Sequence, residues 1–270
     1  MAARNFILNY WDNQLVVLAD HISLVKKEIT PAAIHDLRVT IKKLRSTLQL
    51  YYRVTRKKRW KEAISKTELL FKILGKHREL DINLQYMTKI DDDDTGAYKA
   101  IQNIYRNSLA DAGSRLAKAL AVYQPADVTA IDKDMKTNLA DNSALFSSTL
   151  KSLFAADIKK IRKSILVIKQ QPHETRKQLK TFYYWLEIFP QGYLLEQPAM
   201  KKLEQLLDQL GAWHDADWLR LQLKELVSIF IPAGTSEFTG YKKLIRKLGK
   251  DNKKLLETIA EAAARWRKEC

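Results

Sequence analysis

The sequence is poor in the residues that build turns. Glycine and proline supply 8 and 6 of 270 positions, about half the share of an average globular chain. A sheet protein reverses direction every few residues and draws on both types to do so; long helices do not. Cysteine is scarcer still, for the single one, Cys270, is the last residue. No internal disulfide is available, and a reducing compartment is expected. Long apolar runs are missing too. None approaches the roughly 18 residues of a membrane span, and the opening Phe6-Ile7-Leu8 is broken by Asn9 and Asp12, too early for the core of a secretion signal. The expected location is the cytoplasm, without membrane insertion. No glycine-rich loop precedes a helix and no nucleophile–base pairing stands out, so the sequence reads as a binding module, not an enzyme, with no cofactor.

What is present is helix and positive charge. Hydrophobic residues make up 46%, enough for a real core. They recur at spacings of three and four, as in Ile34, Leu37, Ile41, Leu44 and Leu48, or Ile158, Ile161, Ile165 and Ile168. The prolines fall between such stretches. This predicts an all-α protein of eight helices, near 4–28, 31–53, 58–89, 96–122, 141–169, 172–188, 197–229 and 237–268. Lys and Arg number 47 against 31 Asp and Glu, a net charge of +16 with a pI near 9.7. A surplus of this size implies an anionic partner, because an unneutralised field of one sign costs stability.

The eight helices read as two sets of four, 1–125 and 126–270. His35-Asp36-Leu37-Arg38-Val39-Thr40-Ile41-Lys42-Lys43-Leu44-Arg45 is answered, about 138 residues on, by His173-Glu174-Thr175-Arg176-Lys177-Gln178-Leu179-Lys180-Thr181-Phe182-Tyr183. In the next helix, Leu74-Gly75-Lys76-His77-Arg78-Glu79-Leu80-Asp81 is matched by Leu210-Gly211-Ala212-Trp213-His214-Asp215-Ala216-Asp217. At 100° per residue, His35, Arg38, Lys42 and Arg45 fall within an arc of roughly 80°. His173, Arg176 and Lys180 repeat it, with Lys177 at the margin. Stacked like charges repel, so a one-sign stripe kept in both halves reads as the wall of a groove for an anion, not a solvated face. The denser run from Arg53 to Lys61 straddles a helix connection and fits simple solubility. Lys159-Lys160-Ile161-Arg162-Lys163 and Lys242-Lys243-Leu244-Ile245-Arg246-Lys247 are intermediate.

These residues resemble the CHAD domain, the conserved histidine α-helical domain, whose pattern sets His-x-x-Arg-x-x-x-(Lys/Arg)-x-x-Arg on one helix and an Arg-Asp-x-Asp-like segment on the next, in each of two four-helix halves. The resemblance covers the whole chain. It implies two four-helix repeats related by pseudo-twofold symmetry, forming one bundle with a basic central groove or channel. It also implies binding of inorganic polyphosphate and association with polyphosphate granules. The sites it marks are His35, Arg38, Lys42, Arg45, Arg78, His173, Arg176, Lys177, Lys180 and His214. Four positions depart from the pattern: Tyr183 replaces the third basic residue of the second stripe, His214 an arginine, Glu79 an aspartate, and Glu174 stands opposite Asp36.

The chemistry of the ligand agrees with that implication. Polyphosphate is a flexible chain with about one charge per phosphate and no bases, so it asks for arginine forks and lysine point charges. A general RNA or DNA binder, or a binder of other polyanions, is the alternative. Readers of RNA usually expose aromatic platforms, whereas Trp60, Phe71, Phe182, Trp185 and Phe189 fall on apolar stripes. A third reading takes His35-Asp36 and His214-Asp215 for the pair of a His-Asp metal-dependent phosphohydrolase. A cationic stripe repels a metal, so no metal site is expected. His35 and His173 are either phosphate donors or partly buried structural histidines. If His35, His173 and His214 lie at an anion site, affinity should rise between pH 8 and 6. Asp91 to Asp94 lacks the ligand spacing of a calcium loop and reads as an exposed acidic turn.

Overall fold

Eight helices account for nearly all of the described chain. The computed structural model describes residues 3–55, 60–90, 98–123, 132–133, 135–137 and 143–269, and no strand occurs among them. The helices are α1 Ala3–Lys27, α2 Pro31–Thr55, α3 Trp60–Ile90, α4 Lys99–Val122, α5 Ser143–Leu166, α6 Pro172–Leu186, α7 Gln197–Phe230 and α8 Ser236–Glu269. The acidic run at Asp91–Asp94, Cys270 and residues 56–59 of the Arg53–Lys61 run lie outside the described residues.

Local chemistry sets the ends. Pro31, Pro172 and Pro198 sit in the first turns of α2, α6 and α7, where a missing N–H costs nothing and the fixed φ already suits a helix. Thr30 accepts the Ala33 N–H at 3.2 Å and Thr235 that of Phe238 at 3.0 Å, each filling an orphan donor. Two differences from the sequence reading have physical causes. The helix expected to run to 169 stops at Leu166: the N–H groups of Val167 and Ile168 reach back only three residues, and Pro172 then forbids continuation. Residues 132–133 and 135–137 are helical where a plain connection was expected. There Met135 is fully buried, and Lys136 pairs with Asp132 and Asp12 at 2.9 and 3.0 Å.

The buried side chains form two clusters. The larger joins α1, α2, α5, α6, the N-terminal parts of α3 and α7 and the C-terminal parts of α4 and α8, with Trp11, Tyr51, Phe182, Leu203 and Trp266. The smaller holds Leu80, Met87, Tyr105, Leu219, Leu223 and Tyr241, from the C-terminal parts of α3 and α7 with α4 and the start of α8. The 31-residue α3 and the 34-residue α7 therefore pass from one core to the other. Across the larger core, Trp185 Nε1 donates to the Ser46 carbonyl at 2.8 Å and Ser46 Oγ to that of Thr181 at 3.4 Å. Such side chain–backbone bonds pin α6 against α2 in fixed register and bring their two basic stripes side by side.

Candidate functional site

Where α3 and α7 leave one core for the other, they part from α2 and α6 around a cavity of about 550 Å³. Its wall takes one helical face from each element: His35, Arg38 and Lys42 of α2; Gly75, Arg78 and Glu79 of α3; Arg176 and Lys180 of α6, with Glu187 capping its end; Glu204, Asp208, His214 and Asp215 of α7. Seven of the ten sequence-marked residues thus meet here. The other three do not line the cavity. Arg45 lies with its guanidinium 5.0 Å from the Phe71 ring. Lys177 bonds Glu174 at 2.9 Å on the outer face and borders a smaller cleft beside Arg53 and Trp185. His173 stands behind His214, Nδ1 to Nδ1 at 3.1 Å, with its Nε2 3.7 Å from Asp217.

Phe71 underlies the α2 stripe. The charged groups of Arg38, Lys42 and Arg45 lie 4.7, 6.0 and 5.0 Å from its centroid, within reach of cation–π attraction. Phe182, Trp185 and Phe189 are buried in the core as the pattern predicts, while Phe71 is only partly buried. Arg38 Nη1 also donates to the Phe71 carbonyl at 3.1 Å. Lys180 stands 5.5 Å from the Tyr184 ring.

Not all lining charges are free. Lys43 pairs with Glu187 at 3.1 Å and Arg78 with Asp81 at 2.7 Å, and the Tyr183 hydroxyl donates to Glu204 at 3.2 Å. Arg38, Lys42, Arg176 and Lys180 have no carboxylate within ion-pair distance among the described residues, and Arg176 Nε is buried without a hydrogen-bond partner. Burial registers on all four, and crowding by other cations on Arg38, Lys42 and Lys180. Burial, then Arg38, Lys180 and Arg176, pull the Lys42 ammonium down to about 7. Burial and Arg176 lower Lys180, burial and Arg78 lower Arg38, and burial lowers Arg176. His35 falls below the ordinary histidine range through burial and Arg78; His214 drops to about 4 through burial, Arg176 and His173. Burial raises the Asp215 carboxyl, opposed by Arg176, Arg78 and Lys42. Such depressed bases are cations whose burial the wall does not compensate with opposite charge.

The acidic part of the wall was missed in the sequence. Glu187, Glu204 and Asp208 stand with Tyr183 and Lys43 on the lining, so the cavity is not of one sign throughout. The signal was there: Glu204, Asp208, Gly211, Asp215 and Trp218 recur at steps of four, three, four and three, one face of α7. Among the described residues no three His, Cys, Asp or Glu converge as a metal site, and no helix is long and apolar enough to cross a membrane.

Comparison with known proteins places this architecture. The family model for the CHAD domain matches residues 9–224. The chain belongs to the CHAD domain family. Solved structures with the same fold include the CHAD domain from the plant Ricinus communis, 18% identical, at a TM-score of 0.74 over 97% of this chain and 92% of that one. PptA from Streptomyces chartreusis, 13% identical, gives 0.72 over the full length of both. No curated protein matches the chain. At these identities the two structures speak for the CHAD fold alone.

Proposed function

We propose that this CHAD chain binds inorganic polyphosphate in the cavity between α2, α3, α6 and α7, as a binding protein without catalytic activity of its own. The observation that carries the reading is the set of four half-buried cations, Arg38, Lys42, Arg176 and Lys180, turned to one cavity without carboxylate partners. Depressed bases gain most from a ligand that brings negative charge and displaces little else. A linear chain of phosphates does this, and the unpartnered Arg176 Nε is a donor for one of its oxygens. The matching of α2 with α6, and of the Gly75 and Gly211 segments, supports an internal duplication in which each half contributes one basic helix. A cytoplasmic place at polyphosphate granules follows from the same reading.

The test is competition at fixed salt between polyphosphate and duplex or single-stranded nucleic acid. Polyphosphate should displace nucleic acid at far lower phosphate concentration, because the wall is built mainly of charged groups and Trp218 is its one exposed aromatic side chain among the described residues, short of the platform that stacks successive bases. Affinity should fall about 10³-fold or more from 50 to 200 mM salt if some six phosphates are neutralised, by analogy with counterion release from DNA. Nucleic acid that competes equally, phosphate for phosphate, would reverse the reading.

A further inference from the structure

Helix α8 carries a basic surface that the cavity does not explain. Between Lys242 and Lys254 it has seven exposed cations, six of them lysines. Helical spacing sets all seven within an arc of about 140° over a length of about 18 Å, with Lys243, Lys247, Lys250 and Lys254 along one half of it. Asp251, the one acid in the run, falls about 40° beyond the edge of the arc. The opposite face is occupied: Tyr241 and Leu244 are buried against α7. Toward the C-terminus the pattern changes, for Glu257 pairs with Lys169 and Glu269 with Lys202. Among the described residues no carboxylate pairs with any of the seven; Lys242 alone has a polar contact, its ammonium 5.2 Å from the Phe238 ring. This stretch lies beyond the residues 9–224 that the family model matches.

A series of contacts leads from the cavity to this surface. His214 lines the cavity and meets His173 at 3.1 Å. His173 faces Asp217 at 3.7 Å, Asp217 accepts from Arg220 at 2.8 Å, and the Arg220 Cδ lies near α8, 3.5 Å from where a Cβ on Gly249 would stand. We infer that the basic face of α8 is a second, external binding surface for the same polyanion, engaging the part of a long polyphosphate chain that emerges from the cavity. The inference rests on the proposed function. Its chemistry differs from that of the cavity: lysines are mobile point charges suited to a flexible chain, where the cavity holds its arginines fixed. A rigid duplex would touch few of seven charges spread over such an arc, whereas a flexible chain follows them. With the apolar side buried, the helix has nothing to insert into a lipid surface.

The experiment compares tripolyphosphate with long-chain polyphosphate on three full-length proteins. These are the unaltered chain, a variant with Lys243→Gln, Lys247→Gln, Lys250→Gln and Lys254→Gln, and a charge-matched control. The control carries Lys159→Gln, Lys160→Gln, Arg162→Gln and Lys163→Gln, all exposed on α5. The α8 variant should keep tripolyphosphate affinity within about twofold and lose about tenfold or more for the long chain, as expected when one of two linked contacts is removed. Its salt slope for the long chain should shrink by about 3, for four fewer contacts at about 0.7 each. The control should lose far less. Equal losses in both variants, or unchanged long-chain affinity in the α8 variant, would each overturn the inference while leaving the cavity reading intact. Failure of the unaltered protein to bind either polyphosphate would remove the cavity reading and this inference together.

Discussion

Lys42 is the residue in which the site's physics is most concentrated. Its ammonium is pulled down to about 7, through burial and then Arg38, Lys180 and Arg176. A bound phosphate raises that value, so binding above pH 7 takes up a proton. Affinity for polyphosphate should be complete below pH 7 and fall as pH rises from 7 toward 9, by up to tenfold per unit. Lys42→Gln should flatten this slope at lower overall affinity. Lys42→Arg should flatten it too while keeping most of the affinity; a slope unchanged in both variants would mean another group titrates. The sequence pointed instead to His35, His173 and His214. Burial and neighbouring cations lower His35 from the ordinary histidine range and hold His214 at about 4, so His214 stays neutral where that titration was expected. A motif shows which residue types share a helix face. It does not show how deeply the neighbouring helices bury them, and depth is what moved the titration to the lysine.

Two glycines face the arginines of the paired helices, and they do so unequally. A Cβ on Gly75 would stand 2.6 Å from Arg38 Nη1, whereas one on Gly211 would stand 4.0 Å from Arg176 Nη2. Either Gly→Ala change removes a poor helix former from a helix interior, worth about 0.5–1 kcal/mol. Gly211→Ala should therefore raise Tm slightly and leave binding alone. Gly75→Ala must push the Arg38 guanidinium aside, a movement the flexible side chain can make. It should cost several-fold in polyphosphate affinity with little loss of Tm, readable by calorimetry beside a titration. Equal binding by both variants would show that Arg38 finds phosphate from its displaced position. The sequence exposed both glycines through the Leu74-Gly75 and Leu210-Gly211 match, along with the helices, whose ends fell at Pro31, Pro172 and Pro198. It hid the short helical stretch around Met135, which is held by Asp12 from a distant helix, and the acidic wall of Glu187, Glu204 and Asp208, which only tertiary packing brings opposite the basic stripes.

At the scale of the whole molecule, binding and stability should oppose each other. Four cations lie crowded and half-buried without carboxylate partners, and such charges weaken a fold that neutral side chains of similar size would relieve. A variant with Arg38→Gln, Lys42→Gln, Arg176→Gln and Lys180→Gln should accordingly be more stable than the parent without polyanion, by about 1 kcal/mol or more, or a Tm rise of about 2–4 °C. The same variant should bind polyphosphate far more weakly. A control is needed because both effects scale with charge. The densest basic run, Arg56 to Arg59, lies outside the described residues, so Lys159→Gln, Lys160→Gln, Arg162→Gln and Lys163→Gln on α5 serve instead. This control loses the same four charges from an exposed face, so long-range attraction and encounter rate fall comparably. Its Tm should stay within about 1 °C, since exposed substitutions seldom move stability by more than about 0.5 kcal/mol. Its equilibrium affinity should drop much less, because mobile surface side chains must be immobilised at binding while the cavity's arginines already point the right way. Adding saturating polyphosphate to the parent should then raise its Tm above that of the quadruple cavity variant, by mass action on the folded state. If the cavity variant is instead less stable than the parent, the four cations hold the fold together, and their convergence serves packing before any ligand.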